Sequence, residues 1–302
     1  MSFQIAIARI LCSVVMRNRK PILVTGGTGF IGAPVSRALE RLGYAVHEGP
    51  RRDLLNAKER ATLIEEAGAE SMIHLAWETE HGKFWTSSLN AVWEEASIDL
   101  FRRFYQAGGR RVVGTGSCAE YDWTTGASVF NETDPLLPHT AYGAAKARTA
   151  QALDRLSEQY GGTAVWARLF FMFGPGEPRS RLLPLMIQAA RSGIPVDCGP
   201  SDTVRDFWHV DRLAQGLALL AISDLEGPVN LGAGSPIRFD ELAAMIEEEF
   251  DAPGTVRCDR RSLGKGEPRS LVAGTQRSSL LGLPKGDFRA DLLAYCRIFD
   301  AT

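Results

Sequence analysis

The sequence has no excess of positive charge, no paired cysteines and no apolar run long enough to cross a membrane. Its 34 lysine and arginine residues face 36 aspartate and glutamate residues, which argues against nucleic acid as the main partner. The five cysteines show neither a CxxC pair nor a His/Cys ligand spacing, so we expect no disulfide framework and no metal site. These absences favour a cytoplasmic protein without a membrane partner.

The N-terminal segment AIARILCSVVM is apolar and could be taken for the core of a signal peptide. It is too short to span a bilayer, and MSFQ before it carries no positive charge. A start at Met16 would give MRNRKPILVTGG, and we interpret residues 1–15 as poorly anchored extra sequence.

Short β-rich apolar segments alternate with helical patterns through the first 170 residues, as in PILVTG followed by APVSRALERLGY. This alternation predicts right-handed βαβ units and a parallel sheet covered by helices on both faces. We therefore predict an α/β fold with a Rossmann-type doubly wound parallel sheet in residues 1–170. The Gly- and Pro-rich texture that follows predicts a smaller C-terminal substrate domain in residues 171–302, with about 205–233 returning to the first domain.

A glycine-rich turn, TGGTGFIG, lies directly between a predicted strand and a predicted helix. Glycines at these positions permit a tight turn, let the backbone approach a diphosphate, and allow close packing of helix and strand. Because both flanks match that context, the turn predicts a dinucleotide site. Its predicted contacts are Gly26, Gly29, Phe30, Ile31 and Gly32.

The end of the second predicted strand, AVHEGPRRD, bears on the choice of cofactor. The acid that usually binds the ribose hydroxyls is missing from its expected place, and Arg51 and Arg52 follow at once. Guanidinium groups pair well with phosphate, which favours NADP. NAD remains the alternative, since Glu48 could still serve the ribose. Asp53 is a candidate contact to the adenine amino group.

A tyrosine and a lysine four residues apart, in TAYGAAKAR, are predicted to share one face of a helix that Thr140 caps. The Tyr142 phenol, with an ordinary pKa near 10, is a poor acid–base catalyst at neutral pH. The Lys146 ammonium and an oxidised nicotinamide would lower that pKa by stabilising the phenolate. The pair therefore predicts proton transfer at Tyr142.

Together with the glycine turn, several motifs resemble those of the extended short-chain dehydrogenase/reductase family of nucleotide-sugar epimerases, dehydratases and ketoreductases. They run from about residue 21 to 240 and include TGGTGFIG, IHLAW, YGAAK, RLFFMFGPG, RDFWHVDRLA and VNLGAG. The resemblance implies an NAD(P)-dependent oxidoreductase that acts on a nucleotide-sugar substrate and forms a homodimer. It also implies cofactor contacts at Leu75, Ala76, Trp77, Asn90, Tyr142 and Lys146.

The same resemblance places Ser117 where the family carries a catalytic serine or threonine. Its hydroxyl would bind the substrate oxygen while Tyr142 transfers the proton and Lys146 holds the nicotinamide ribose. Arg179 and Arg205 are candidates for the substrate diphosphate, although surface arginines in a loop would look the same. The predicted substrate contacts are Ser117, Cys118, Phe171, Arg179 and Arg205.

Two departures from the family pattern bear on the reaction. The dehydratase branch reads TDEVY where this chain reads SCAEY, so Cys118 and Ala119 replace the acid and base of water elimination. Strand alternation would point Glu120 to the opposite face. Cys118 lies one residue away from the catalytic cysteine of one epimerase branch, and we interpret it as a small buried residue.

Two reactions stay open. A ketoreductase would use NADPH to reduce a 4-keto-6-deoxy sugar nucleotide, and the two arginines favour it. A 4-epimerase would hold NAD tightly, but the Asn of its RxFN segment is Phe171 here. A non-catalytic cofactor-binding regulator would typically lack the Tyr or the Lys, and both are present.

Overall fold

The computed structural model describes residues 20–48, 53–78, 80, 82–258, 263, 266–284 and 286–299. Its first half is built from strands and helices in alternation. They are β1 (Ile22–Thr25), α1 (Gly32–Arg41), β2 (Val46–His47), α2 (Ala57–Ala67), β3 (Ser71–His74), α3 (Leu89–Gln106), β4 (Arg111–Ser117), β5 (Val129–Phe130), α4 (Ala141–Tyr160) and β6 (Thr163–Leu169).

Shorter strands dominate the second half. Its elements are β7 (Phe171–Phe173), α5 (Leu182–Ser192), β8 (Val196–Asp197), β9 (Val204–His209), α6 (Val210–Ile222), β10 (Gly227–Leu231), β11 (Pro236–Arg238), α7 (Phe239–Phe250), β12 (Val256–Arg257), β13 (Ser270–Ala273) and α8 (Phe288–Ile298). Single turns of 3-10 helix lie at Cys118–Glu120, Trp123–Thr125 and Ser278–Leu281.

The first sheet has six parallel strands in the order β10-β6-β4-β3-β1-β2. Successive side chains of a strand point to opposite faces, so Ile22 and Val24 pack under α1 and α6 while Leu23 packs under α2, α3 and α4. Helices therefore cover both faces, which confirms the predicted Rossmann-type α/β fold.

The second sheet has the order β11-β9-β13-β5, with β7 pairing to β9. This sheet includes β5 from the first half of the chain, which pairs in parallel with β13. β9 also lies in this sheet, and the chain returns to the first sheet through α6 and β10. A third small sheet pairs β12 with β8, and α5, α7 and α8 share the adjoining apolar core.

Helix α3 carries an apolar stripe that either core packing or a dimer interface could explain. Ala96, Leu100 and Phe104 are buried in the core of this chain, whereas Val92 is 43% exposed. Core packing thus accounts for most of the stripe, and the homodimer stays a prediction. None of the described helices has the length and apolar character that a bilayer crossing requires.

Candidate active site

Within the described part of the chain, most of the predicted cofactor and catalytic residues lie at or beside the ends of strands β1, β3 and β4. In parallel sheets the carboxyl ends of neighbouring strands meet at one edge, where ligands of this fold bind. β1 leads into the glycine turn, β3 into residues 75–77, and β4 ends at Ser117. Helix α4 then brings Tyr142 and Lys146 against the end of β4.

The glycine turn is so tight that two of its glycines have no room for a side chain. Gly26 has φ of +71°, and its amide-to-carbonyl turn is closed by the Gly29 amide, 3.0 Å from the Gly26 oxygen. A Cβ at Gly32 would lie 2.0 Å from that same oxygen. Helix α1 begins at Gly32, and Ile31 before it provides no side-chain cap. The Ala33 amide donates to the Gly29 oxygen at 3.1 Å, and no side chain covers this positive end of the helix dipole, which favours an anion. The turn therefore fits the diphosphate of a dinucleotide.

Glu48 lies beside this turn at the end of β2. A Cβ at Gly27 would be 2.8 Å from its carboxyl carbon, so the absence of a side chain there lets the acid approach. This is where a carboxylate binds ribose hydroxyls in NAD-binding members of the fold. Arg51 and Arg52 lie outside the described residues. Asp53 is exposed, and its carboxylate accepts a hydrogen bond from the Leu55 amide at 3.0 Å.

A buried histidine orders the backbone after β3. The His74 ring bonds the Thr25 hydroxyl through Nδ1 at 2.7 Å and the Ser97 hydroxyl through Nε2 at 2.9 Å. Ser97 donates its own proton to a backbone carbonyl, so the ring proton belongs on Nε2. Burial, with the Lys146 charge, lowers the pKa of His74 to about 3 and keeps the ring neutral. The Thr25 oxygen accepts the amides of Leu75 and Ala76, which positions the predicted cofactor segment.

Trp77 lies between Asn90 and Lys146. Its indole nitrogen donates to the Asn90 carbonyl at 2.9 Å, and the Lys146 ammonium lies 3.8 Å from its ring centre. Asn90 is buried, and its amide nitrogen donates to the carbonyls of Phe84 and Ser87. The side chain of Asn90 thus holds Trp77 in place under the lysine, where the ring face makes a cation–π contact with the ammonium.

Helix α4 packs closely on the 3-10 turn that follows β4. A Cβ at Gly143 would lie 2.2 Å from the Ala119 carbonyl, so only glycine permits this approach. The predicted Thr140 cap is confirmed, because its hydroxyl accepts the Gly143 amide at 3.0 Å. The close packing brings the Tyr142 phenol near the Ser117 hydroxyl.

The ring of Tyr142 is surrounded by aromatic edges. Phe84 lies 4.9 Å, Trp85 5.8 Å and Trp77 6.4 Å from it, centre to centre, each nearly perpendicular to its plane. Edge-to-face contacts of this kind fix the orientation of the phenol ring. The loop before α3 therefore forms a wall of the site.

Burial dominates the protonation of Tyr142 and Lys146. It raises the pKa of Tyr142, the negative charge of Glu120 raises it further, and the nearby Ser117 hydroxyl and the charge of Arg181 oppose the rise. Burial lowers the pKa of Lys146 to about 7, against a smaller raising effect from Glu120. Lys146 is 3% exposed and donates to the Thr115 carbonyl at 2.9 Å. A positive cofactor ring beside the phenol would stabilise its ionised form.

The residues after Ser117 leave the strand at once. Residues 118–120 form one 3-10 turn, so the strand alternation expected for Glu120 does not apply. Glu120 folds back beneath the turn and accepts the Ser117 amide at 2.8 Å. Cys118 is buried, and burial raises the pKa of its thiol to about 12. The thiol is therefore neutral and matches the interpretation of a small buried residue.

The predicted substrate residues are placed differently from one another. Arg205 is fully buried, and its guanidinium donates to Glu267 at 2.6 Å and lies 5.4 Å from the Phe171 ring centre. Any diphosphate would have to share Arg205 with that carboxylate. Arg179 is exposed and covers the Phe299 ring at 5.2 Å. Nothing among the described contacts joins Arg179 to Ser117.

The structure thus brings Ser117, Tyr142, Lys146, Trp77 and Asn90 together and leaves Arg179 apart. The sequence reasoning missed the roles of Thr25, His74 and Ser97. A polar residue at the end of an apolar strand, as in SMIH, is the signal that could have indicated them.

Comparison with known proteins gives one family and several distant relatives. The model of the NAD dependent epimerase/dehydratase family matches residues 22–232. The dTDP-4-dehydro-6-deoxyglucose reductase of Escherichia coli is 22% identical over 270 residues, covering 79% of this chain and 84% of its own. The dTDP-6-deoxy-L-talose 4-dehydrogenase (NAD(P)+) of Kitasatospora kifunensis is 26% identical over 260 residues, covering 77% and 80%.

The fold is shared with solved structures. The Thermus thermophilus UDP-glucose 4-epimerase, crystallised in complex with NAD, superposes with a TM-score of 0.82 at 22% identity. The match covers 93% of this chain and 99% of that one.

Proposed function

The chain belongs to the NAD-dependent epimerase/dehydratase family, and from that premise we propose that it reduces a 4-keto-6-deoxy sugar nucleotide with NADPH. Reductases and dehydrogenases of dTDP-sugars are among its relatives, at 22% and 26% identity. Reduction of one carbonyl requires a proton, which the groups gathered around Tyr142 can supply, and a hydride, which NADPH would supply.

The proposal rests mainly on the chemical nature of the side chains that surround Ser117. Water elimination needs an acid and a base beside the sugar ring, and positions 118 and 119 offer a buried neutral thiol and a methyl group. Glu120 is turned away beneath the turn and is held there by three donors. The proton-active groups beside Ser117 are therefore Tyr142 and Lys146, which suits a redox step without elimination.

Each residue then has one part in the step. The cofactor, when bound, would supply the hydride for the carbonyl carbon. Ser117 donates a hydrogen bond to the carbonyl oxygen and aligns it with the phenol. Tyr142 donates the proton that turns this oxygen into a hydroxyl, and Lys146 stabilises the phenolate left behind. The aromatic wall of Phe84 and Trp85 keeps water away from the phenol.

A second candidate is a nucleotide-sugar 4-epimerase that holds NAD. It is favoured by Glu48, whose carboxylate lies beside Gly27 where it would accept the ribose hydroxyls. Phe171, in place of the Asn of the epimerase segment, argues against it. The same three groups, Ser117, Tyr142 and Lys146, would serve that reaction, because it oxidises and reduces one carbon in turn.

One experiment separates the candidates. Purified protein is incubated with a dTDP-4-keto-6-deoxyhexose and NADPH, and loss of the reduced cofactor is followed by absorbance with NADH in a parallel sample. Stoichiometric loss supports the reductase, whereas isomerisation of a UDP- or dTDP-hexose without added cofactor supports the epimerase.

The matched control is Tyr142→Phe, which keeps the ring and its aromatic contacts but removes the proton donor. We expect its kcat to fall by about 10²- to 10⁴-fold, with cofactor affinity within a few-fold of wild type. Wild-type kcat in this variant would refute the proton-transfer role. Cofactor binding without turnover of any sugar nucleotide would support a regulator instead.

A further inference from the structure

Glu120 is a fully buried carboxylate directly beneath the predicted catalytic serine. It accepts the Ser117 amide at 2.8 Å, the Arg168 Nε at 2.9 Å, and the Trp166 indole at 3.0 and 3.1 Å. Arg168 is itself buried and also donates to the Tyr121 hydroxyl at 3.3 Å. The carboxylate thus joins β4, the turn after it, and β6 into one network.

The strand before it makes room for this network. A Cβ at Gly116 would lie 2.1 Å from the Glu120 carboxylate, and one at Gly114 would lie 2.5 Å from the Trp166 ring. The dehydratase pattern TDEVY has valine where this chain has Glu120, so the charge is a departure of this sequence. The Glu120 carboxylate is accommodated by the two glycines and hydrogen-bonded by the Trp166 indole and the Arg168 guanidinium.

All three partners of Glu120 donate. An ionised carboxylate is the side chain that accepts from all of them, since a glutamine would turn an NH₂ group toward a donor. Removing one partner from a buried charge is strongly unfavourable. The hydrogen bonds to Glu120 therefore hold this residue and the turn that contains it in one geometry. The Ser117 amide, and with it the direction of the Ser117 hydroxyl, is fixed by this bond.

We propose that Glu120 is a positioning residue for the reaction, acting through Ser117 and through the charge balance at Lys146. The inference rests on the proposed function, in which Ser117 aligns the substrate oxygen. A misplacement of about 1 Å in such a group can cost on the order of 100-fold in rate.

The charge of Glu120 reaches the catalytic pair. Lys146 donates to the Thr115 carbonyl and Glu120 accepts the Ser117 amide, so both charges lie at the end of β4. The carboxylate raises the pKa of Lys146 against the lowering by burial. The other groups that face Lys146 are the neutral His74 ring from β3, the Tyr142 phenol one helical turn away, and the Trp77 ring. Among these, Glu120 supplies the negative charge, so its removal lowers the pKa of Lys146.

Two variants separate geometry from charge. Glu120→Asp keeps the charge but is too short to hold Ser117 and Arg168 together, so kcat should fall about tenfold or more. In a Ser117→Ala background the same change should cost less than about threefold, because the group it positions is gone. Equal losses in both backgrounds would overturn the positioning role.

Glu120→Gln keeps the size and removes the charge. The pH midpoint of NADPH binding, followed by cofactor fluorescence, should move down by about 0.5 to 1 unit as Lys146 loses its proton more easily. An unmoved midpoint would overturn the charge role. If Glu120→Gln does not fold, the Glu120→Asp cycle still decides the proposal.

The matched control is Asp99→Asn, which breaks a partly buried ion pair, with Arg60 at 2.7 Å between α2 and α3. It should lose stability without moving the pH midpoint or coupling to Ser117→Ala. Binding of NADPH needs no sugar. A failed substrate assay of the wild type would therefore refute the proposed reaction, whereas the pH midpoint of NADPH binding could still be measured. A midpoint shift in Asp99→Asn equal to that of Glu120→Gln would refute the inference.

Discussion

Substituting two glycines of the glycine turn tests whether this turn binds the diphosphate of a dinucleotide. Gly32→Ala places a methyl group 2.0 Å from the Gly26 oxygen and 2.6 Å from the Gly27 Cα, both backbone atoms that cannot rotate away. Gly29→Ala places one 3.2 Å from the Gly26 oxygen, and no other heavy atom is near it. The first change strains the protein, whereas the second fills space that the diphosphate would use.

The magnitudes follow from these distances. A carbon and an oxygen rest near 3.2 Å or more, so Gly32→Ala must move the turn by about 1 Å, and overpacking of this kind costs about 1–3 kcal/mol. For a chain of this size that lowers the Tm by about 2–12 °C. Gly29→Ala should change the Tm by less than about 2 °C, yet both variants should weaken NADPH and NADH by about 30-fold or more, because the backbone can no longer approach the diphosphate.

The assays are thermal unfolding without cofactor and fluorescence titration with each reduced nucleotide. The expected pattern is loss of both stability and affinity in Gly32→Ala, and loss of affinity alone in Gly29→Ala. Wild-type affinity in Gly29→Ala would show that the diphosphate does not lie on this turn, and an unchanged Tm in Gly32→Ala would refute the close contact with Gly26.

Three further changes test other parts of the site. Arg52→Ala should weaken the binding of NADPH about tenfold or more and leave the binding of NADH nearly unchanged. Glu48→Gln should mainly weaken the binding of NADH. Equal losses of affinity for both nucleotides in titration would show that neither residue contacts the group on the adenosine ribose. Burial raises the pKa of Glu177 from 4.5 to about 7, so the folded protein binds the Glu177 proton more tightly than the unfolded chain does. The protonated carboxyl group therefore contributes its full stabilisation below pH 4.5, and this stabilisation is lost as the pH rises through 7. Wild type should therefore lose about 2–3 kcal/mol more than Glu177→Gln between pH 5 and 8 in urea unfolding, and parallel curves would contradict this. Asn90→Leu leaves the Trp77 indole and two carbonyls without their partner and should cost about 3 kcal/mol of unfolding free energy; a loss below about 0.5 kcal/mol would show that Trp77 is held otherwise.

Much of the fold and of the arrangement of the candidate site could be predicted because the signals are local. The strand–turn–helix context of the glycines, the Thr140 cap and the four-residue spacing of Tyr142 and Lys146 all depend on neighbours in the sequence. Backbone geometry converts such spacing directly into a shared helix face.

The rest depends on partners far apart in the chain. Glu120 is held by residues 46 and 48 positions away, and no local pattern announces that Trp166 and Arg168 would meet it. The alternation argument for Glu120 failed because the strand ends three residues earlier, at Ser117. Likewise, the two-residue strand β5 gives no signal for its pairing with β13.

The order of strands in the first sheet has a consequence for synthesis of the chain. β10 pairs with β6, so the β6 edge stays open on the nascent chain while residues 170–226 are made. At about 5–20 residues per second this takes roughly 3 to 11 seconds, during which the open edge of this apolar strand can associate with other chains. β5 waits longer, because its partner β13 begins at Ser270. Slowing or halting translation between these points should therefore increase the share of chain that aggregates before either sheet is complete.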